Sequence, residues 1–297
     1  MTSADSGFTA AQTAGIRTAV QPDPVQVIAV TSGKGGVGKT CVSINLAAAL
    51  AAQHKRVLLL DGDLSLANAD VQLGLAPKFT LEHVLDGRCT LEESIIDTPA
   101  GFRLIPASSG VSRLASLSTN EHLGLVQAFS NLACGLDTLI VDTAAGLSDS
   151  VRQFCQAAQH VLVVVRDEPA SLADAYAIIK VLSRTHGVRR FQMLANMSTS
   201  QGGGESLFRK LQRVTDRFLD VVVEYAGEIP EDRFVRTAIC GQRSVVAAFP
   251  SSPASRAFAR LAQRTGKWQS VEGPRGNIEF MMERLLTRAP ARLEAVR

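Results

Sequence analysis

Between Val25 and Gln53 the chain passes through three kinds of sequence in immediate succession. An apolar, β-branched run, Val25-Gln26-Val27-Ile28-Ala29-Val30, leads into Gly33-Lys34-Gly35-Gly36-Val37-Gly38-Lys39-Thr40, and an alanine- and leucine-rich stretch follows from Cys41 to Gln53. The first reads as a buried parallel strand and the last as a helix. A glycine, four residues and then Gly-Lys-Thr between such elements fits a phosphate-binding loop. Glycines let successive backbone N–H groups, here from Gly33 to Cys41, curl around phosphate oxygens, and the helix N-terminus adds partial positive charge. Lys39 is expected to reach the β- and γ-phosphates, and the Thr40 hydroxyl to hold Mg²⁺. Lys34 is a second lysine inside the loop, which an ordinary phosphate loop does not need.

Two further strands end in carboxylates. Arg56-Val57-Leu58-Leu59-Leu60 runs into Asp61-Gly62-Asp63, and Leu136 to Val141 runs into Asp142-Thr143-Ala144-Ala145-Gly146. A carboxylate at the C-terminal end of a parallel strand faces the ligand crevice of an open α/β sheet. Asp63 is the candidate for orienting the attacking water and assisting at the metal, with Asp61 in support. Asp142 is the candidate for holding Mg²⁺ through its water shell, and Gly146 for approaching the γ-phosphate. Each aspartate could instead cap the helix that follows it. Residues 64–70 are expected to act as a first switch sensing the γ-phosphate.

Further apolar strands are predicted at 160–165, 190–196 and 221–229, with helices at 171–183 and up to Leu219, and a capping box at Ser118-Thr119-Asn120-Glu121 opens another. This alternation predicts a doubly wound, mostly parallel α/β sheet with helices on both faces, a P-loop NTPase spanning 25–272. Asn196 is a candidate adenine reader or a turn former, and Pro230 and Asp232 are candidates to frame the base or ribose.

Composition narrows the setting. A net charge of +3 is too slight to argue for nucleic acid, and five scattered cysteines suggest neither a disulfide framework nor a metal cluster. No basic-then-apolar leader and no run of eighteen apolar residues occurs, which predicts a cytoplasmic protein. Residues 1–24 read as a flexible arm, polar and ending in Pro22-Asp23-Pro24. Residues 273–297 begin with a Gly-Pro break, after which Ile278, Met281, Met282, Leu285 and Leu286 fall on one helical face. Such a helix needs a surface, either protein or a lipid headgroup layer.

Taken together, Ser32 to Thr40, Asp61 to Asn68, and Asp142 to Gly146 resemble the flagellar-number regulators, of FlhG or FleN type, within the MinD/ParA class of deviant phosphate-loop ATPases. The likeness covers about residues 25–290 and includes Asp167-Glu168-Pro169, Leu194-Ala195-Asn196-Met197 and Ala248-Phe249-Pro250. The resemblance implies slow, Mg²⁺-dependent ATP hydrolysis and an ATP-induced homodimer in which Lys34 crosses to the partner's nucleotide, as an arginine finger does. It implies an enhancer-binding transcription activator and a signal-recognition-type GTPase as partners. It also implies peripheral contact with the membrane or cell pole. Gln12, Ile16 and Arg17 resemble the GTPase-activating segment, although Ala11 and Ile16 depart from the expected Asp and Leu. Gly62 and Ser65 likewise stand where Ala and Gly are usual.

Other users of this fold fit less well. A DNA-partitioning ParA protein calls for a more basic surface, so no direct nucleic-acid binding is expected. An iron–sulfur carrier calls for Cys-x-x-Cys, and a tyrosine kinase for more tyrosines than Tyr176 and Tyr225. A division-site MinD protein is the nearest rival.

Overall fold

The structure is a computed structural model that describes residues 25–63, 68–106, 127–132, 135–200 and 202–268. Eight strands form one sheet in the order β3-β4-β2-β5-β1-β6-β7-β8. The strands are β1 (Gln26–Ser32), β2 (Val57–Gly62), β3 (Ile96–Asp97), β4 (Arg103–Ile105), β5 (Thr138–Ala145), β6 (His160–Val165), β7 (Arg190–Ser198) and β8 (Val222–Pro230). All pairings are parallel except the short antiparallel contact of β3 with β4 at the sheet edge.

Apolar runs such as Leu58-Leu59-Leu60 carry no polar alternation because both faces of the central strands are covered. Ile28 and Val30 of β1 enter one core with helix α1 (Lys39–Ala51), while Val27 and Ala29 enter the cores of the opposite face. Four short elements, α2 (Ala69–Leu73), α3 (Leu81–Leu85), α4 (Leu91–Ser94) and a helical stretch at 127–132, lie between β2 and β5. Helices α5 (Asp149–Ala157), α6 (Pro169–His186) and α7 (Gly203–Phe218) follow β5, β6 and β7 and contribute Cys155, Ile178 and Leu211 to the core opposite α1. After β8 come α8 (Arg233–Cys240), α9 (Val245–Ala248) and α10 (Pro253–Thr265), whose Phe258 and Leu261 complete the α1 core.

Local chemistry sets these starts and stops. Ser148, Ser244 and Ser252 hydroxyls accept from backbone N–H groups at the heads of α5, α9 and α10, and Pro sits at the head of α6 and α10. The helices α5 and α8–α10 have no counterpart in the sequence reading. Helices α5, α8 and α9 are short, whereas α10 has apolar residues at 254, 257, 258, 261 and 262 after Ser252-Pro253, a helical spacing that the sequence does carry. The expected helix opening at Ser118 lies largely outside the described residues, as do the N-terminal arm and the C-terminal helix.

The topology fixes the ligand edge. Strand β1 lies between β5 and β6, so the chain leaving β1 toward β2 and the chain leaving β5 toward β6 part on opposite sides of it. A crevice opens outside the carboxyl ends of the strands at such a switch point.

Candidate functional site

The glycine loop leaves β1 at that crevice. Gly38 takes φ 89° at the start of α1 and no side chain caps the helix, which leaves first-turn N–H groups without intrahelical partners. An anion completes such an end. Gly33 is required for a different reason: a Cβ there would lie 2.2 Å from the Asp174 carbonyl oxygen of α6. Asn196, at the end of β7, donates its side-chain amide to the Val37 carbonyl at 2.7 Å and ties the loop to the neighbouring strand. This contact uses one of its two amide N–H groups. Ser32 holds the loop from below, its hydroxyl donating to the Lys34 carbonyl at 2.6 Å while its own carbonyl accepts from Gly146 N–H at 3.0 Å.

The two loop lysines have different surroundings. Lys39 is buried, and desolvation lowers its pKa while Asp142 and Asp63 oppose that effect. The Lys34 ammonium is half exposed and lies 3.3 Å from Glu168 at the head of α6, with Arg166 on the other oxygen of that carboxylate.

Asp142, at the end of the buried part of β5, is 1 % exposed. Burial, then the Asp61 charge, pushes its carboxyl up to about 7, against the Thr40 and Ser43 hydroxyls and Lys39. Ser43 Oγ donates to Asp142 Oδ1 at 2.8 Å, and Oδ2 is buried without a hydrogen-bond partner. Buried polar atoms are nearly always satisfied, so an orphaned carboxylate oxygen beside Thr40 fits a metal-bound water. Among the described residues no three acidic, His or Cys side chains form a metal cage. Thr40, Asp63 and Asp142 therefore suit an ion such as Mg²⁺, which keeps several waters and binds through substrate phosphates.

Asp61 caps the helix that follows, as one of its two expected roles would have it, and also holds the Asp63 backbone. Its Oδ1 accepts from Asp63 N–H at 3.1 Å and its Oδ2 from Asn68 and Ala69 N–H at 3.2 and 3.1 Å. One buried carboxylate thus fixes the Asp63 backbone and the start of α2, on either side of residues 64–67. Burial raises its pKa to about 6 and these three donors oppose the rise. Asp63 itself is half buried, close enough for its charge to act on Lys39.

At the base end, Glu231 N–H bonds to the Ser198 carbonyl at 2.9 Å, which joins the ends of β8 and β7. The Asp232 carboxylate accepts from Phe234 and Ala254 N–H, both at 3.0 Å, and so heads α8 and α10 together. Each carboxylate oxygen accepts one N–H here and keeps a further lone pair. Burial pushes the Cys41 thiol up to about 11, which keeps it protonated and inert beside Asn45. Gln12, Ile16, Arg17, Ile278, Met281, Met282, Leu285 and Leu286 lie outside the described residues.

Three contributors were not singled out from the sequence: Ser32, Ser43 and Asn45. Ser43 stands one helical turn after Lys39, a spacing that puts both on one face of α1. Asn45 joins α1 to the later helices, its oxygen accepting from Val245 N–H at 2.8 Å.

Comparison with known proteins agrees with this geometry. A family model described as an AAA domain matches residues 25–193. The chain is 56% identical over 263 residues to the antiactivator FleN of Pseudomonas aeruginosa, across 89% of this chain and 94% of that protein. It is 30% identical to the flagellum site-determining protein YlxH of Helicobacter pylori, across 87% and 89% of the two chains. Among solved structures, the cell-division ATPase MinD of Pyrococcus furiosus superposes with a TM-score of 0.66 at 25% identity, covering 82% of this chain and 99% of that one. MinD of Pyrococcus horikoshii, complexed with Mg-ADP, superposes with a TM-score of 0.64 at 26% identity, covering 82% and 96%.

Proposed function

The chain belongs to the MinD/ParA family of ATPases, in the branch of the FleN and FlhG flagellar regulators, and from that premise we propose that it is an ATP-driven dimer switch. The observation that carries the proposal is the contrast between the two loop lysines. Lys39 is buried beside Asp142 and Asp63, where it serves the nucleotide of its own chain. Lys34 sits half exposed on an ion pair at the surface, where it is placed to serve a second copy.

In this reading ATP and Mg²⁺ fill the crevice, with the metal on Thr40 and, through water, on Asp142 and Asp63. Two chains then close face to face and bury both nucleotides. Each Lys34 leaves Glu168 and stabilises the charge that develops on the partner's γ-phosphoryl group. Asp63 orients the attacking water. Hydrolysis is slow, so the dimer persists long enough to act as a timer.

The output is control of flagellar number. The ATP-bound dimer binds an enhancer-binding transcription activator and restrains it, in keeping with the antiactivator name of the Pseudomonas relative. Gln12, Ile16 and Arg17 engage a signal-recognition-type GTPase that places the flagellum. Ile278, Met281, Met282, Leu285 and Leu286 would supply a docking face, for protein or for reversible contact with the membrane. No helix among the described residues is long and apolar enough to cross a membrane.

Phosphate release measured over a range of protein concentrations tests the trans lysine. The rate per chain rises with concentration if the active species is a dimer, and a constant rate per chain removes Lys34 from that role. Flagella counted by electron microscopy in cells lacking the gene test the output. More flagella per cell are expected, and an unchanged number contradicts the regulatory reading.

A further inference from the structure

From Arg233 to Trp268 the chain carries six arginines and Lys267, and no Asp or Glu. Since the whole protein has a net charge of only +3, this span concentrates positive charge that the rest of the chain outweighs. Elsewhere Arg56, Arg152, Arg166, Arg189, Arg190 and Arg209 each pair with a carboxylate. Among the described residues none of the seven cations of this span has a carboxylate within ion-pair distance.

Three of them form a row. Arg256, Arg260 and Arg264 recur every fourth residue along α10 and are all exposed, so they line one side of that helix. Arg260 and Arg264 stand at the rim of a cavity of about 220 Å³ between α10, β8 and the head of α7. The cavity exists because β8 bulges at Gly227, where φ is 134° and the register with β7 shifts. Arg264 braces the bulge by donating to the Ala226 carbonyl at 3.0 Å. The floor is apolar, with Leu194, Ile229, Ala257 and Leu261, and Tyr225 lies on the far side.

We infer that this groove is a docking site for an acidic segment of a partner protein, one that sets an apolar side chain in the cavity and carboxylates on the α10 arginines. Guanidinium groups favour paired carboxylates through two parallel N–H donors, and the strip has six arginines to one lysine. A cavity of this size with an apolar floor accepts one aliphatic side chain, the anchor that interfaces of this kind use. A nucleic-acid duplex has nothing to place in it. The far wall also carries Glu205 and Glu228. Glu205 pairs with Arg209 and Glu228 accepts from Gly202 and Gly204 N–H, so the partner's carboxylates belong on the Arg256 and Arg260 side of the groove, away from that wall. A lipid surface is disfavoured too, since no large exposed apolar side chain lies on α10. None of the residues lining the cavity belongs to the phosphate loop.

The test uses the full chain and a fluorescein-labelled twelve-residue peptide in which single leucines are flanked by glutamates. Fluorescence anisotropy at low salt is expected to show saturable binding. That binding should weaken at least about tenfold when Arg256→Glu and Arg260→Glu are combined. Arg152→Glu, on α5 across the sheet, should not weaken it. Replacing the glutamates of the peptide by glutamines, or its leucines by serines, should each weaken binding to the unaltered protein. ATP binding by the double variant, unchanged, shows that it is folded. The proposal is overturned by absent peptide binding or by equal binding of the glutamine peptide. It is overturned equally if the double variant binds undiminished, or if a twenty-base-pair duplex binds more tightly through the same arginines.

Discussion

Lys34 Nζ lies 3.3 Å from Glu168 Oε2, and the other oxygen of that carboxylate lies 3.3 Å from Arg166. The lysine that distinguishes this phosphate loop from an ordinary one is therefore held within its own chain, at the head of the helix that follows β6. Both side chains of the Lys34 pair are about two-fifths exposed. Exposed pairs contribute roughly 0–1 kcal/mol, so the lysine exchanges Glu168 for a phosphate at little cost.

Glu168→Gln should therefore release Lys34 without unfolding the protein. The ATP concentration needed for half-maximal dimerisation is expected to fall a few-fold, while the melting temperature moves little. An ATP titration followed by sedimentation velocity reads this directly. A rise in the required ATP concentration would instead assign Glu168 a contact across the dimer.

Gly33 and Gly35 separate packing from flexibility in the loop. A Cβ on Gly33 meets the Asp174 carbonyl oxygen at 2.2 Å, whereas a Cβ on Gly35 meets only the Ala145 side chain, at 4.0 Å. Gly33→Ala is expected to destabilise the fold by about 1–3 kcal/mol, because the loop or α6 must shift. Gly35→Ala should leave stability within about 0.5 kcal/mol. Urea unfolding of the two variants without nucleotide compares them, and equal stability would show that α6 yields freely.

Acid sensitivity should have a component at the opposite end of the sheet from the nucleotide. His160 is buried with its ring 5.2 Å from that of Trp268, and burial lowers its pKa to about 4, against the pull of Glu224. Its folded pKa lies below the unfolded value, so the unfolded chain takes up the proton first as pH falls. This contribution is intact above about pH 6.5 and is lost progressively toward pH 4. Between pH 7.5 and 5 the loss is on the order of 2 kcal/mol. Urea midpoints of the native protein and of His160→Gln at both pH values check it. The variant should lose less stability than the native protein, and parallel losses would place the acid sensitivity elsewhere.

The sequence made the phosphate site readable because its chemistry is consecutive: glycine loop, Lys39 and Thr40 follow one another between a strand and a helix. The strand-end aspartates were readable for the same reason. What joins these pieces was not. Ser43 and Asp142 are 99 residues apart, Lys34 and Glu168 are 134 apart, and Asn196 and Val37 are 159 apart. Each contact depends on β1 lying between β5 and β6, an order that no local pattern encodes. Asp61 illustrates the limit. Its place at a strand end suggested either metal support or a helix cap, and only the positions of Asp63, Asn68 and Ala69 show one carboxylate gripping both sides of the switch segment. Asp232 likewise showed nothing in its sequence position of the two helix heads, α8 and α10, that its carboxylate joins.

The central claim is that bound ATP joins two copies of this chain and that Asp63 acts only afterwards, in hydrolysis. The most direct measurement is the solution mass of Asp63→Ala by light scattering, with Mg²⁺ and either ATP or ADP. The account predicts a dimer with ATP and a monomer with ADP, because the variant binds ATP and cannot consume it. A monomer with both nucleotides, in a variant shown to bind ATP, would contradict it.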